Sequence, residues 1–288
     1  MSKLKAVSLF CGCGGTDVGL KGDFEFLGQH YSSNNVDIVF ANDIEPKAIE
    51  ILEANFSCPT FVGDIKALDH KSIPEHDLLT GGFPCQSFSI VAQNPPRLGI
   101  KDEKGELFFE MCKVLREKKP SVFIAENVKG ILSANKKEAF PLILEEFRKS
   151  GYYVTWKLLN SVDFGVPQKR ERVFLMGTRL QHKKFNFPKP DVKPYGFLKS
   201  FKNVGDAIND LANFENEEFP NHIILNHSDI VKRRYELIPE GGKLPKPEDL
   251  PEDIRRKNFG NTYTRLDRKT ISSTIVPGNN ALPVHPYL

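Results

Sequence analysis

The chain has 288 residues, of which 40% are hydrophobic, five cysteines and a formal net charge of +3. This length is enough for one large α/β domain and a smaller one, and no apolar run is long enough to span a bilayer, so we expect no membrane partner. The cysteines lack a paired Cys-x-x-Cys, which indicates neither a disulfide framework nor a zinc site, and we expect no metal. Because the N-terminus leads directly into a strand, we expect no signal peptide and a cytoplasmic, reduced protein.

The first predicted unit is a strand, a glycine loop and a helix. Residues 4–10 are apolar and β-prone, the loop is Cys11-Gly12-Cys13-Gly14-Gly15, and residues 16–20 can open a helix. This order is typical of nucleotide-binding loops. A dinucleotide fingerprint would need a glycine at position 17, where the chain has Asp17, and this disfavours a nicotinamide dehydrogenase.

Acidic residues follow the next two predicted strands. The strand over residues 37–41 ends at Asn42-Asp43-Ile44-Glu45, and the strand over residues 60–62 ends at Gly63-Asp64-Ile65. An acid in the position of Asp43 is placed to bind ribose hydroxyls, although a helix N-cap explains it equally well. Glycine, aspartate and aspartate at three successive strand ends predict one small-molecule site.

A stiff turn that ends in a cysteine follows the short buried strand predicted over residues 77–79. The sequence there is Thr80-Gly81-Gly82-Phe83-Pro84-Cys85-Gln86-Ser87-Phe88-Ser89. Glycines permit tight turns, and proline restricts both itself and the residue before it. A lone cysteine is usually a core residue, but Pro84 and Gln86 favour a nucleophile at Cys85. The polar stretch from Ser87 to Gly105 predicts a long loop of the kind that forms a lid.

The second half of the chain contains the remaining predicted elements. They are a helix over residues 107–115, a buried strand over 121–125 ending at Glu126, a helix over 136–149, and strands over 152–159 and 173–177. Glu126 is either a site residue or a loop carboxylate. Arg170 and Arg172 alternate on entering the last strand and so point the same way. Periodicity weakens from about Leu180, where we predict a domain boundary. Basic clusters beyond it either contact phosphates or form a solvated face.

Taken together, the motifs resemble a known family. They are Phe10-Cys11-Gly12-Cys13-Gly14-Gly15, Asn42-Asp43-Ile44-Glu45, Gly63-Asp64-Ile65, Gly82-Phe83-Pro84-Cys85-Gln86-Ser87, Glu126-Asn127-Val128 and Gln168-Lys169-Arg170-Glu171-Arg172. This set is similar to the DNA (cytosine-5-)-methyltransferases of bacterial restriction–modification systems. The resemblance implies a class I S-adenosylmethionine-dependent methyltransferase, an α/β, Rossmann-like fold with a mostly parallel sheet between helices. It assigns residues 1–180 to catalysis and cofactor binding, and 181–288 to a smaller, irregular target-recognition domain.

The resemblance also implies roles for individual residues. Cys85 would attack C6 of a cytosine flipped out of duplex DNA, and Glu126 would hold the ring through N3 and the amino group. Arg172 would contact O2 and hold Glu126 or the loop in place, with Arg170 as a supporting candidate. S-adenosylmethionine would be the cofactor and S-adenosylhomocysteine its product. The residues expected to border the cofactor are Phe10, Gly12, Gly14, Gly15, Asp43, Ile44, Asp64, Ile65 and Leu107.

One departure from the family pattern leaves alternatives open. The motifs that follow the recognition domain in the family are absent before Leu288. We therefore expect a C-terminally incomplete enzyme, or one half of a split enzyme whose second polypeptide supplies them, in the cytoplasm and associated with the nucleoid. A tRNA cytosine-5 methyltransferase is the nearest alternative, although proline rather than Phe83 usually precedes Pro84 there. A catalytically impaired DNA-binding remnant is the other.

Overall fold

A computed structural model describes residues 3–84, 103–180, 185–190, 202–213, 226–255 and 263–275. The strands are β1 (Leu4–Leu9), β2 (Phe24–Phe26), β3 (Gln29–Tyr31), β4 (Val36–Asp43), β5 (Thr60–Val62), β6 (Leu78–Gly81), β7 (Val122–Val128), β8 (Tyr153–Asn160) and β9 (Glu171–Thr178). The α-helices are α1 (Gly15–Lys21), α2 (Pro46–Asn55), α3 (Glu103–Lys118), α4 (Ala139–Lys149), α5 (Val204–Ile208) and α6 (Asp229–Glu236). None of the helices within these ranges is long and apolar enough to cross a bilayer.

Seven of the strands form one sheet in the order β5-β4-β1-β6-β7-β9-β8. The pairs β4–β5, β1–β4, β1–β6 and β6–β7 are parallel, and β9 is antiparallel to β7. The central strands are apolar on both faces, as strands covered by helices must be: Ala6, Val7, Leu9 and Leu79 are fully buried. The mostly parallel α/β sheet that the sequence predicts is therefore confirmed.

Aromatic rings pack the core on one side of the sheet. Phe123 of β7 stacks on Phe147 of α4 with ring centroids 4.4 Å apart, and Phe108 of α3 meets Phe147 edge-on at 5.1 Å. Gly177 of β9 is the neighbour of Phe123 in the register, and a Cβ there would overlap the Phe123 ring. The aromatic core thus requires a residue without a side chain at this position.

We expect Gly177→Ala to lower the free energy of unfolding by about 1–3 kcal/mol, because the phenyl ring of Phe123 has to leave its packed position. Denaturant unfolding followed by circular dichroism measures the change. Gly19→Ala is the matched control, since a Cβ at Gly19 in α1 meets nothing within 4 Å. A Gly177→Ala protein as stable as the Gly19→Ala protein would contradict this account of the core.

Several elements differ from the sequence-based expectations. The strand expected to end at Ala125 continues as β7 to Val128, because antiparallel pairing with β9 extends it. The loop expected to reach Gly105 ends earlier, since α3 begins at Glu103; glycine costs a helix only about 1 kcal/mol. The hairpin of β2 and β3 was not predicted, and the stacking of Phe24 on Tyr31 stabilises it.

The chain divides into two compact units. The first unit comprises residues 1–159 and 171–188, and the second comprises residues 160–170 and 189–288. In the second unit Asn203 and Asp206 form a capping box at the start of α5, and the buried Arg265 donates to the carbonyl oxygens of Ile238 and Tyr235. The assignment of residues 1–180 to catalysis and 181–288 to target recognition stays a prediction.

Several arginines of the predicted basic clusters have structural partners within the second unit. Arg233 pairs with Asp253, and Nε of Arg234 donates to the carbonyl oxygen of Ile254 at 2.8 Å. These contacts join α6 to the 3-10 turn Glu252–Ile254. The arginines on α6 therefore stabilise local structure. Contacts within the protein already neutralise part of their charge, which leaves less of it for binding phosphates.

Candidate functional site

The carboxyl ends of β1, β4 and β5 lie side by side, because these strands are neighbours and run parallel. The glycine loop follows β1, Asp43 is the last residue of β4, and Asp64 follows β5. The register pairs Leu9 with Asn42 and Asp43 with Val62. The structure thus brings together the three strand ends that the sequence predicts to form one small-molecule site.

Asp43 holds the glycine loop through a hydrogen bond. The N–H of Gly12 donates to Oδ2 of Asp43 at 2.8 Å, and the N–H of Glu45 donates to Oδ1 at 3.0 Å. Gly12 and Gly14 have φ angles of 54° and 84°, a left-handed backbone that side chains disfavour. A carboxylate offers about four acceptor positions, so Asp43 can still accept from two hydroxyl groups of a ligand.

Apolar and acidic side chains flank this loop. Ile44, directly after Asp43, is 68% exposed and offers flat apolar surface to a base. Asp64 is exposed and accepts from the N–H of Lys66 at 2.9 Å, which caps the 3-10 turn Ile65–Ala67. The side chain of Ile65 is buried in the main hydrophobic core, so it anchors this turn to the core. Leu107 of α3 packs on the same core and is partly buried.

These residues fit S-adenosylmethionine. Its ribose hydroxyls need an acceptor such as Asp43, its adenine amino group needs one such as Asp64, and its base needs an apolar surface such as Ile44. Phe10, at the end of β1, has a φ of 53°, which is unusual for a bulky residue and turns the chain sharply into the loop. Gly15 is exposed at the first position of α1, where a ligand can approach the backbone.

Glu126 and Arg172 form an ion pair across β7 and β9. Nε of Arg172 lies 2.8 Å from Oε1 of Glu126. Arg172 is opposite Val128 and Phe174 is opposite Glu126, so the two charged side chains lie on the same face of the sheet. The side chain of Glu126 keeps 29% exposure and that of Arg172 keeps 17%. Both are therefore held in place and still open to a ligand.

The turn that leads to Cys85 passes close to this ion pair. A Cβ at Gly82 would lie 3.6 Å from Oε2 of Glu126 and 3.8 Å from the carbonyl oxygen of Phe10. Phe83 is buried, and the centroid of its ring lies 5.2 Å from that of Phe108. Cys85 itself and the predicted loop up to residue 102 lie outside the described residues. The structure thus places the start of the Pro-Cys turn next to Glu126 and to the end of β1.

Two buried asparagines have functions that the sequence analysis missed. Nδ2 of Asn127 donates to the carbonyl oxygen of Phe83 at 3.0 Å, which ties β7 to the Pro-Cys turn. Nδ2 of Asn42 donates to the carbonyl oxygens of Phe61 and Gly63 at 2.9 Å and 3.1 Å, which ties β4 to the turn that carries Asp64. Both asparagines lie inside the motifs quoted above, Asn42 directly before Asp43 and Asn127 directly after Glu126. This adjacency to predicted site residues was the feature of the sequence that could have identified them.

Burial makes two of the described cysteines poor nucleophiles. Burial, with help from the charges of Asp43 and Asp17, raises the pKa of Cys11 to about 12. Burial likewise raises the pKa of Cys112 to about 12, and it raises that of Cys58. Cys13 is exposed on the glycine loop. A thiolate is the reactive form, so Cys11 and Cys112 are unsuited to covalent catalysis near neutral pH.

We expect Cys11 and Cys112 to resist alkylation at pH 8, because a thiol with a raised pKa becomes thiolate only as the pH approaches that value. Compared with an ordinary cysteine, the thiolate fraction falls by roughly a thousandfold. Iodoacetamide labelling followed by peptide mass spectrometry measures the rates, with Cys13 as the exposed reference. In denaturant all the cysteines should react alike. Labelling of native Cys11 as fast as Cys13 would contradict the assignment.

Arg170 lies in the second unit, where its side chain is exposed. Its N–H donates to Oδ1 of Asn160 at 3.1 Å, and the N–H of Lys169 donates to the carbonyl oxygen of Ser272 at 2.8 Å. The support that Arg170 was expected to give to Arg172 stays a prediction. No group of three or more His, Cys, Asp or Glu side chains is arranged to hold a metal ion in the part of the chain that the structure describes.

Sequence comparisons connect this geometry to known proteins. The profile of the C-5 cytosine-specific DNA methylase family matches residues 4–270. The Type II methyltransferase M.NgoFVII of Neisseria gonorrhoeae is 37% identical over 281 residues, which cover 96% of this chain and 70% of that protein. M.HaeII of Haemophilus aegyptius is 36% identical over 88% of this chain and 70% of its own length. M.DsaV of Dactylococcopsis salina is 41% identical over 65% of this chain and 50% of its own length.

Solved structures show the same fold. A DNA modification methyltransferase encoded within an E. coli prophage superposes with a TM-score of 0.68 at 21% identity, covering 99% of this chain and 84% of that chain. The S. pombe Dnmt2 methyltransferase superposes with a TM-score of 0.52 at 22% identity, covering 83% of this chain and 67% of that chain. At these identities the likeness concerns the fold, and it confirms the class I methyltransferase architecture.

Proposed function

The chain belongs to the C-5 cytosine-specific DNA methylase family and is a DNA cytosine-5 methyltransferase of the restriction–modification type, and from that premise we propose how it works. It transfers a methyl group from S-adenosylmethionine to C5 of a flipped-out cytosine in a specific duplex DNA sequence. The product is S-adenosylhomocysteine, and no metal takes part. It acts in the cytoplasm, associated with the nucleoid, where its duplex substrate lies.

The observation that carries this proposal is the position of Gly82, which lies between Glu126, the residue proposed to hold the base, and Phe10, which leads into the glycine loop. A Cβ at Gly82, on the backbone that leads to Cys85, would lie within van der Waals distance of Glu126 on one side and of the carbonyl oxygen of Phe10, after β1, on the other. A base held by Glu126 would thereby lie near the backbone that leads to Cys85 and near the start of the cofactor loop. Proximity of this kind converts reactions between separate molecules into steps within one complex.

The chemistry follows from the residues at these positions. C5 of cytosine is a poor nucleophile, and bond formation between Sγ of Cys85 and C6 gives the ring enamine character at C5. Glu126 holds N3 and the amino group, and Arg172, paired with Glu126, contacts O2. The bound cofactor supplies an electrophilic methyl group. Loss of the C5 proton and cleavage of the Sγ–C6 bond then restore the thiolate. Flipping the base out of the duplex provides access to C6.

The direct test is transfer of label from methyl-labelled S-adenosylmethionine. We expect label at C5 of cytosine in duplex DNA that contains the recognition sequence, and none in tRNA. Label in tRNA alone would favour the tRNA methyltransferase alternative. Binding of DNA without label in either nucleic acid, under conditions where cofactor binding is measured, would favour the catalytically impaired remnant.

Asp43 is predicted to serve cofactor binding. We expect Asp43→Ala to weaken the binding of S-adenosylhomocysteine by about 1–3 kcal/mol, because the charged acceptor is lost and Gly12 loses its hydrogen-bond partner. Isothermal titration calorimetry measures the affinity. An unchanged affinity would reject this role for Asp43.

Asp64 and Asp69 provide a matched comparison for the same site. Each caps a 3-10 turn in the same way, with Asp64 accepting from Lys66 N–H at 2.9 Å and Asp69 from Lys71 N–H at 3.0 Å. Only Asp64 is proposed to accept from the adenine amino group. Asp64→Asn should therefore weaken cofactor binding, whereas Asp69→Asn should leave it unchanged.

A further inference from the structure

Helix α3 carries a buried acid that the proposed mechanism does not use. Glu110 is only 7% exposed. Its Oε2 lies 3.3 Å from Nε2 of His70, and its Oε1 lies 2.7 Å from Nζ of Lys113. A carboxylate this far from water is stable only when it is paired, and the ammonium group of Lys113 supplies the opposite charge, while the imidazole of His70 packs against the other oxygen.

The imidazole belongs to the segment that carries Asp64. His70 opens the 3-10 turn His70–Ser72, shortly after the turn that Asp64 caps, and its side chain is 14% exposed. This segment packs on α3. Ile65 and Ile73 lie in the same core cluster as Met111 of α3. The contact between Glu110 and His70 therefore joins two elements that touch over several turns.

The two joined elements both reach the proposed cofactor site. Leu107 lies three residues before Glu110, and residues at this spacing share one face of a helix. Asp64 lies at the start of the segment that ends near His70. Any movement of the segment along α3 would change the distance between Asp64 and Leu107.

We infer that the contact between Glu110 and His70 positions the segment over residues 64–70 against α3 and thereby sets the affinity for the cofactor. This inference rests on the proposed function, in which Asp64 and Leu107 border S-adenosylmethionine. Neither Glu110 nor His70 touches the cofactor, and both are positioning residues.

The test is calorimetric titration of S-adenosylhomocysteine into the wild type, His70→Gln, Glu110→Gln and the double variant. We expect each single variant to bind about tenfold more weakly, and the double variant to bind no more weakly than either, because one interaction is removed in all three.

Lys118→Met is the matched control for a loss of stability. Nζ of Lys118 bonds to the carbonyl oxygen of Lys71 at 3.0 Å and to Glu75 at 3.3 Å, and its side chain is 9% exposed. It joins the same two elements at the end of α3 away from Leu107. We expect the Tm of the Lys118→Met protein to fall as far as that of the His70→Gln protein, while its affinity for S-adenosylhomocysteine stays unchanged.

Two results would overturn the inference. One is wild-type affinity in both His70→Gln and Glu110→Gln at pH 6, while Asp43→Ala binds weakly; the proposed cofactor site would then stand without the positioning pair. The other is equal weakening by Lys118→Met, which would mean that general stability, rather than position, sets the affinity. Unchanged affinity in Asp43→Ala as well would remove the proposed site and this inference with it.

Discussion

Cys85→Ser should reduce methyl transfer by about 10⁴-fold or more, since an alcohol adds to C6 far less readily than a thiolate and no other group replaces it. The substitution is nearly isosteric, so the fold and the affinity for S-adenosylhomocysteine should not change. Single-turnover transfer of labelled methyl to duplex DNA measures the loss. Activity within tenfold of the wild type would remove Cys85 from the mechanism.

A substrate analogue tests the same residue by trapping. With 5-fluorocytosine at the target position, C5 has no proton to lose after methyl transfer, so the Sγ–C6 bond cannot be cleaved and the adduct persists. Wild-type protein should form a covalent complex that survives denaturation, and Cys85→Ser should not. The cross-linked peptide should contain Cys85. A cross-link at Cys11 or Cys112 would contradict both the assignment and the raised pKa values of those thiols, which are about 12.

Glu126→Gln should lower the rate of methyl transfer by about 10²–10³-fold, because an amide cannot hold the protonated ring of the attacked base as a carboxylate does. Cofactor affinity should remain near that of the wild type, since Asp43 and the glycine loop are untouched. Single-turnover kinetics and calorimetry separate the two effects. An equal loss of cofactor affinity would show that Glu126 acts through the fold of the cofactor site.

The neighbouring ion pair on the same strands is the control for this variant. Nζ of Lys129 lies 3.1 Å from both carboxylate oxygens of Glu171, at the same ends of β7 and β9. Lys129 is 56% exposed. Exposed ion pairs contribute little to stability, so Glu171→Gln should leave both the fold and the rate nearly unchanged. A comparable loss of rate in Glu171→Gln would mean that strand pairing, rather than the carboxylate of Glu126, limits catalysis.

The strand ends were the most predictable part of the site. Asp43 and Asp64 follow apolar runs, and parallel strands in an α/β sheet end at one edge, so their proximity follows from local pattern and a general rule of topology. The pairing of Glu126 with Arg172 could be expected from the family resemblance but not from the local pattern. It requires β9 to run antiparallel beside β7, and no local pattern in either strand specifies that partner or that register.

Sequence by itself determined the order of the main strands and helices in the first unit, apart from the hairpin of β2 and β3, and the place of the glycine loop between β1 and α1. These features depend on neighbouring residues alone, through steric limits on φ and ψ and through the period of apolar side chains. Tertiary structure decided which distant groups meet: Gly12 with Asp43, Asn127 with the carbonyl of Phe83, and Glu110 with His70. Such contacts depend on strand order, register and helix packing, which arise only when the whole sheet and its core assemble.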